Sequence, residues 1–193
     1  MPESDQSGFA RFPLENAALG LLIPGPGHGY GLHRDFEHYF GLIWKAGQTK
    51  FYLTLSELND SGYLESTIEP QKNRPPRKVY CLTEAGRDRF MEWVSEPILS
   101  VRGMRVEFIA KLRFYNLLDL PGAADLVERQ IEIFRALLDE WTQADATADQ
   151  PAAGKDKHAH FADLVFSFRT MQVESIIAWL EDVRQRIDTG RFA

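Results

Sequence analysis

Apolar residues recur at helical spacing over most of this chain and switch to alternation in one short stretch. Leu14, Ala18, Leu21 and Leu22 predict a first helix from Pro13 to Leu22, ended by the Pro24 to Gly29 segment. Tyr30, Leu32, Phe36 and Phe40 predict a second from Tyr30 to Phe40. Phe51, Leu55 and Leu58 fall at i, i+4 and i+7 and predict a third, starting near Gln48 or Thr49 and stopping at Asp60-Ser61-Gly62. Its polar residues, Thr49, Lys50, Tyr52, Ser56 and Glu57, are left on the other faces.

The alternation follows directly. Tyr63 to Glu69 reads as a strand, Pro70 to Lys78 as a loop, and Val79 to Thr83 as a returning strand, which together make a two-stranded ribbon with a basic tip. From Thr83 the chain is helical again, to about Ser95 with Pro97 closing it, and then from Gly103 to Leu118 with Met104, Phe108, Leu112 and Tyr115 in one stripe. Ala123 to Thr142 carries Val127, Ile131, Phe134, Leu138 and Trp141 at steps of 4, 3, 4 and 3. Residues 144–157, rich in Ala, Asp, Gly and Pro, read as a linker or loop. A last helix from about His160 to Asp188 carries Val173, Ile176, Leu180, Val183 and Ile187. The expected fold is therefore mainly α with a small β-wing. A disordered tail at 1–12 precedes a winged helix-turn-helix at 13–96 and a helical dimerisation region at 97–193. The last region is short for covering its own stripes, so a homodimer is expected.

Composition narrows the class. The chain has 193 residues, 44% hydrophobic and 26% charged, with no apolar run near membrane-spanning length and no signal-peptide pattern, so a soluble cytoplasmic protein without a membrane partner is expected. Cys81 is the single cysteine, which excludes an intrachain disulfide. The net charge of −6 argues against binding nucleic acid through bulk charge, yet Lys72, Arg74, Arg77 and Lys78 sit together with no acid among residues 70–78. The glycine-rich 24–29 segment lacks the lysine of a phosphate-binding loop and reads as a turn. His158 and His160 are read as solvent-facing residues at a helix start, and His28 and His33 as capping or packing groups, so no metal site is expected. No G-x-S-x-G motif or comparable nucleophile set occurs, which points away from an enzyme, and no cofactor is implied.

Three segments resemble the PadR family of winged-helix transcriptional regulators. They are His28-Gly29-Tyr30-Gly31-Leu32, the stretch from Thr49 to Leu64, and Arg77-Lys78-Val79-Tyr80-Cys81-Leu82-Thr83-Glu84-Ala85-Gly86. The resemblance implies a homodimeric repressor that binds double-stranded DNA at a pseudo-palindromic operator. It implies DNA contacts from Gln48, Thr49 and Lys50 at the start of the recognition helix and from the wing cations Arg74, Arg77 and Lys78. Tyr52 matches a family tyrosine placed against the DNA backbone; a half-buried packing role remains open for it. Glu57 is a departure, since an acid on this face repels phosphate unless it accepts from cytosine N4. Family inducers include planar aromatics, and Trp93, Phe108, Tyr115 and Trp141 are the aromatic candidates for a small effector. One branch of the family places a drug-stacking tryptophan about where Pro97 falls here, with Trp93 one turn earlier. The alternative is a winged helix that serves as a protein-interaction module without sequence-specific DNA binding, which the acidic total and Glu57 favour and the wing cations oppose.

Overall fold

The computed structural model describes residues 14–71, 74–147 and 157–192. They divide into two compact units, one reaching to Glu96 and including Arg102–Pro121, the other comprising Pro97–Val101 and the residues from Gly122 onward. The sequence boundary at 96/97 assigns 102–121 to the helical region, whereas the packing groups those residues with the winged unit.

The first unit runs α1 (Leu14–Gly20), β1 (Gly27–His28), α2 (Gly29–Phe40), α3 (Gln48–Asp60), β2 (Leu64–Gln71), β3 (Arg74–Leu82) and α4 (Glu84–Ser95). His28 starts α2, its Nδ1 accepting from the Gly31 amide at 2.9 Å, and Thr83 starts α4, its Oγ1 accepting from the Gly86 amide at 3.1 Å. Gly62 ends α3 at φ +77, a conformation that costs glycine least, and the Tyr63 amide reaches back to the Leu58 carbonyl at 3.0 Å.

The sheet differs from the expected ribbon in two ways. It has three antiparallel strands in the order β1-β3-β2, because Gly27 and His28 pair with Tyr80 and Val79. The expected loop over 70–78 is mostly strand: Ile68 pairs with Lys78, Glu69 with Arg77 and Gln71 with Arg74. Pro75 and Pro76 favour a loop locally. They are tolerated in β3 because consecutive N–H positions point to opposite sides: one faces the edge that β1, paired only with Tyr80 and Val79, leaves open, and the other falls where the register with β2 shifts between Glu69 and Gln71.

The helices close on a chain of aromatic rings. Phe51 of α3 lies 5.4 Å from Phe36 of α2, Phe36 lies 5.6 Å from Phe40, and Phe40 lies 4.9 Å from Phe114. Phe114 in turn meets Phe90 of α4 edge-on at 5.0 Å and 78°. Each of these five phenylalanines is fully buried, and burying such a ring stabilises by about 1.5–3 kcal/mol. Phe114 belongs to α6 (Ile109–Leu117), which follows α5 (Val101–Gly103) through a π-helical turn at Met104–Phe108. The uninterrupted helix expected over Gly103 to Leu118 is thus broken by a wider turn. Met104, Phe108, Leu112 and Tyr115 are nevertheless all buried.

The second unit pairs α7 (Ala123–Thr147) with α8 (Lys157–Asp188). Arg135 meets Glu181 at 2.6 Å and the Arg184 guanidinium lies 3.7 Å from Glu128, while the Arg169 guanidinium stands 4.0 Å from the Trp141 ring centre. Partners descend along α8 as they ascend along α7, so the pair is antiparallel. Val127, Ile131, Phe134, Val173, Leu180 and Val183 are buried in it. Fully buried Gln130 donates to the Ile98 carbonyl and accepts from the Ile98 amide, both at 2.6 Å. The 1–12 tail and much of the 144–157 linker lie outside the described residues.

Candidate nucleic-acid interface

The apolar stripe of α3 dictates what its other side presents. Phe51, Thr54, Leu55 and Leu58 are buried, which at about 100° per residue turns Thr49, Leu53, Ser56 and Asp60 outward. Gln48, Thr49, Lys50, Tyr52, Leu53 and Glu57 are all exposed. The helix starts at Gly47, which has no side chain to bond the first-turn amides. Gln48 and Lys50 therefore flank a helix start whose N–H groups and positive dipole end suit a phosphate oxygen.

Gln48, Thr49, Tyr52 and Leu53 line a shallow hollow of about 400 Å³ on this side of α3. Tyr52 takes the packing role left open for it and keeps part of its surface free. Its ring packs over the start of α2, where a Cβ on Gly29 would come within 2.6 Å of Cε1, while 37% of the residue stays exposed.

The wing presents its cations on two faces. Side chains alternate along β3, so Lys78 shares a face with Tyr80, and Arg77 takes the opposite face with Val79. The Tyr80 phenol is pushed above its ordinary pKa by burial and by Tyr52 and Asp60, both on α3, which marks its face as the α3 side. The Lys78 ammonium stands 5.1 Å from the Tyr80 ring centre. Arg77 is instead paired across the strands, its Nη2 donating to Glu69 Oε2 at 2.8 Å and its Nε to the same oxygen at 3.0 Å. This pair helps to wall a cleft of about 670 Å³ with Arg34, Asp35 and Tyr39. Arg74 begins β3 opposite Gln71, and Lys72 lies outside the described residues.

Three of the four aromatic effector candidates belong to the winged unit. Trp93, Phe108 and Tyr115 are buried there. The Trp93 Nε1 donates to Glu107 Oε1 at 2.8 Å, and its ring stands edge-on to Phe114 at 6.1 Å. Beside it, fully buried Lys111 donates from Nζ to the Glu96 carbonyl at 2.6 Å and approaches Glu107 at 3.6 Å. Burial holds the Lys111 pKa below the ordinary lysine value, with Glu107 and Glu96 partly opposing the shift. Trp141 belongs to the second unit and is half-buried.

Of the histidines, His28 caps α2 and buried His33 holds the Ala46 carbonyl through Nε2 at 2.9 Å. The side chains of His158 and His160 lie outside the described residues. The sequence pattern alone did not single out two residues of this surface. Leu53 is apolar but out of phase with the stripe of Phe51, Leu55 and Leu58, a signal visible in the pattern. Glu69 stands next to the acid-free run, and its pairing with Arg77 depends on strand register.

Comparison with known proteins gives two family matches. Residues 18–92 match the transcriptional regulator PadR-like family, and residues 104–188 match the C-terminal region of virulence activator alpha. The chain is 26% identical to the negative transcriptional regulator PadR of Bacillus subtilis, over 91% of this chain and 97% of that one. It is also 26% identical to a Mycobacterium tuberculosis protein described as "Probable transcriptional regulator Rv1176c", over 92% of this chain and 99% of that one. Among solved structures, Bacillus subtilis PadR in complex with operator DNA is similar at 25% identity and TM-score 0.44, covering 89% of this chain and 96% of that chain. No described helix is long and apolar enough to cross a membrane.

Proposed function

We propose that this chain, which belongs to the PadR-like family of transcriptional regulators, binds double-stranded operator DNA as a homodimer and represses transcription in the cytoplasm. The observation that carries the reading is the exposed side of α3, with its uncapped start at Gln48, Thr49 and Lys50, beside a wing bearing Arg77 and Lys78. In this arrangement α3 enters the major groove, Gln48, Thr49 and Lys50 with Tyr52 meet the adjacent backbone, and Arg74, Arg77 and Lys78 follow the flanking phosphates. Family membership favours DNA over a protein as the surface's partner.

The dimer reading draws on α8. Phe161, Leu164, Phe168 and Met171 recur at helical spacing and are each at least 60% exposed. A stripe of that kind invites burial, and a second copy covers both stripes at once. Two recognition helices then meet successive major grooves about 34 Å apart, or a whole multiple of that. Release by a small aromatic effector would act by changing this spacing. Of the four aromatic candidates, Trp141 alone keeps part of its ring outside the core, beneath the Arg169 guanidinium, a combination suited to an aromatic acid.

The test is an anisotropy titration against the DNA upstream of the protein's own gene, at two salt concentrations and with random DNA as competitor. Tight binding that resists the competitor and weakens with salt is expected. Binding no tighter than to random DNA would overturn the reading.

A further inference from the structure

The exposed side of α3 carries one residue whose chemistry does not fit a phosphate. Leu53 is 53% exposed. A single exposed leucine is ordinary on a protein surface, but this one occupies the part of α3 turned farthest from the core. It lies about 40° around the helix from Thr49, with Thr49 one turn before it and Glu57 one turn after. It also forms a wall of the hollow shared with Gln48, Thr49 and Tyr52.

Taking the DNA-binding reading as its premise, we propose that Leu53 is a specificity-determining residue that reads the 5-methyl group of a thymine in each half-site. The major groove displays one methyl group on its base edges, that of thymine; apart from the small C5–H of cytosine, the features beside it are donors and acceptors that leucine cannot satisfy. A polar base edge facing Leu53 would lose its water without gaining a partner, so Leu53 discriminates by rejection as well as by contact. Tyr52, pinned over Gly29, and Thr49 bound the hollow and fix where the methyl group sits.

The experiment uses the full chain and the upstream DNA fragment, with thymines in the bound region replaced by deoxyuridine at symmetric pairs of positions, one pair at a time. This removes only the methyl group. At one pair, affinity is expected to fall about fourfold per half-site, the factor that follows from withdrawing one buried methyl group. Leu53→Ala should bind the thymine and uracil fragments equally at that pair, and Leu53→Met, which keeps an apolar side chain, should restore the difference. Because Leu53 is exposed and outside the aromatic core, both variants are expected to melt like the wild type. Tight wild-type binding that is indifferent to uracil at every position would overturn the inference while leaving the DNA reading intact. So would a Leu53→Ala variant that kept the full discrimination. Failure of the wild type to bind the thymine fragment would remove the DNA reading and this inference with it.

Discussion

Arg77 is already engaged within the wing, so the phosphate contact proposed for it requires an exchange of partners. Its guanidinium gives two hydrogen bonds to Glu69 Oε2, at 2.8 and 3.0 Å, with the two side chains 44% and 49% exposed. A pair that exposed contributes only about 0.2–1 kcal/mol, because water screens it. If Arg77 leaves Glu69 for a phosphate, a dimer gives up two such pairs, roughly 0.4–2 kcal/mol in all. Glu69→Gln weakens the competing acceptor and should therefore tighten DNA binding by about two- to thirtyfold at low salt. Arg77→Gln should weaken binding and make the salt dependence shallower by about 0.9 for each phosphate it no longer neutralises. In the Glu69→Gln/Arg77→Gln double variant the gain from Glu69→Gln should vanish, since it acts through Arg77. Anisotropy titrations of the four proteins over a salt series measure all of this. Unchanged or weaker binding by Glu69→Gln, or the same gain with Arg77 removed, would refute the exchange and leave the pair a feature of the wing alone.

Other predictions concern stability and assembly. Phe168→Glu on the exposed α8 stripe should shift sedimentation toward monomer, because two buried rings at about 1.5–3 kcal/mol each are withdrawn from the dimer; an unchanged dimer would place the interface elsewhere. Lys111→Met should destabilise by about 1–3 kcal/mol at pH 7 in chemical unfolding, since it strips the Glu96 carbonyl of its donor and Glu107 of its counter-charge. The folded Lys111 pKa lies below its ordinary 10.5, so the unfolded chain binds more protons as pH rises toward that value. The wild type should therefore gain stability relative to Lys111→Met over that alkaline range; a constant difference would contradict the burial of a titrating amine. Thr83→Ala removes both the α4 cap and a hydroxyl 2.9 Å from the Gly62 and Tyr63 carbonyls. A loss of about 1–2 kcal/mol in thermal or urea unfolding is expected, and no loss would show that water replaces these bonds.

Where local chemistry and burial pattern agree, the sequence was a sufficient guide. The stripe of Phe51, Leu55 and Leu58 places α3 correctly because a helix has one way to bury those three residues, and Gly62 ends it because the turn needs positive φ. The wing was harder. Pro75 and Pro76 argue against strand locally, and only the free edge of β3 on one side and the register shift with β2 on the other reverse the inference. The same register separates Arg77 from Lys78 and gives Arg77 to Glu69, which residue spacing along one strand cannot reveal. The π-turn at Met104–Phe108 leaves the apolar stripe intact, so periodicity gave no sign of it. Trp93, Phe108 and Tyr115 qualify as effector candidates only by being aromatic; their burial, and the bond from Trp93 to Glu107, are properties of packing.

The central claim is that two copies of α3 read two major grooves on one face of an operator. Hydroxyl-radical footprinting of the full-length protein on its upstream DNA, with excess random DNA present, tests it most directly. The account predicts two protected segments related by two-fold symmetry, centred one helical turn or a whole multiple of it apart, with weaker protection at their flanks where the wings lie. A single unrepeated patch, or protection that disappears when random DNA is added, would contradict it.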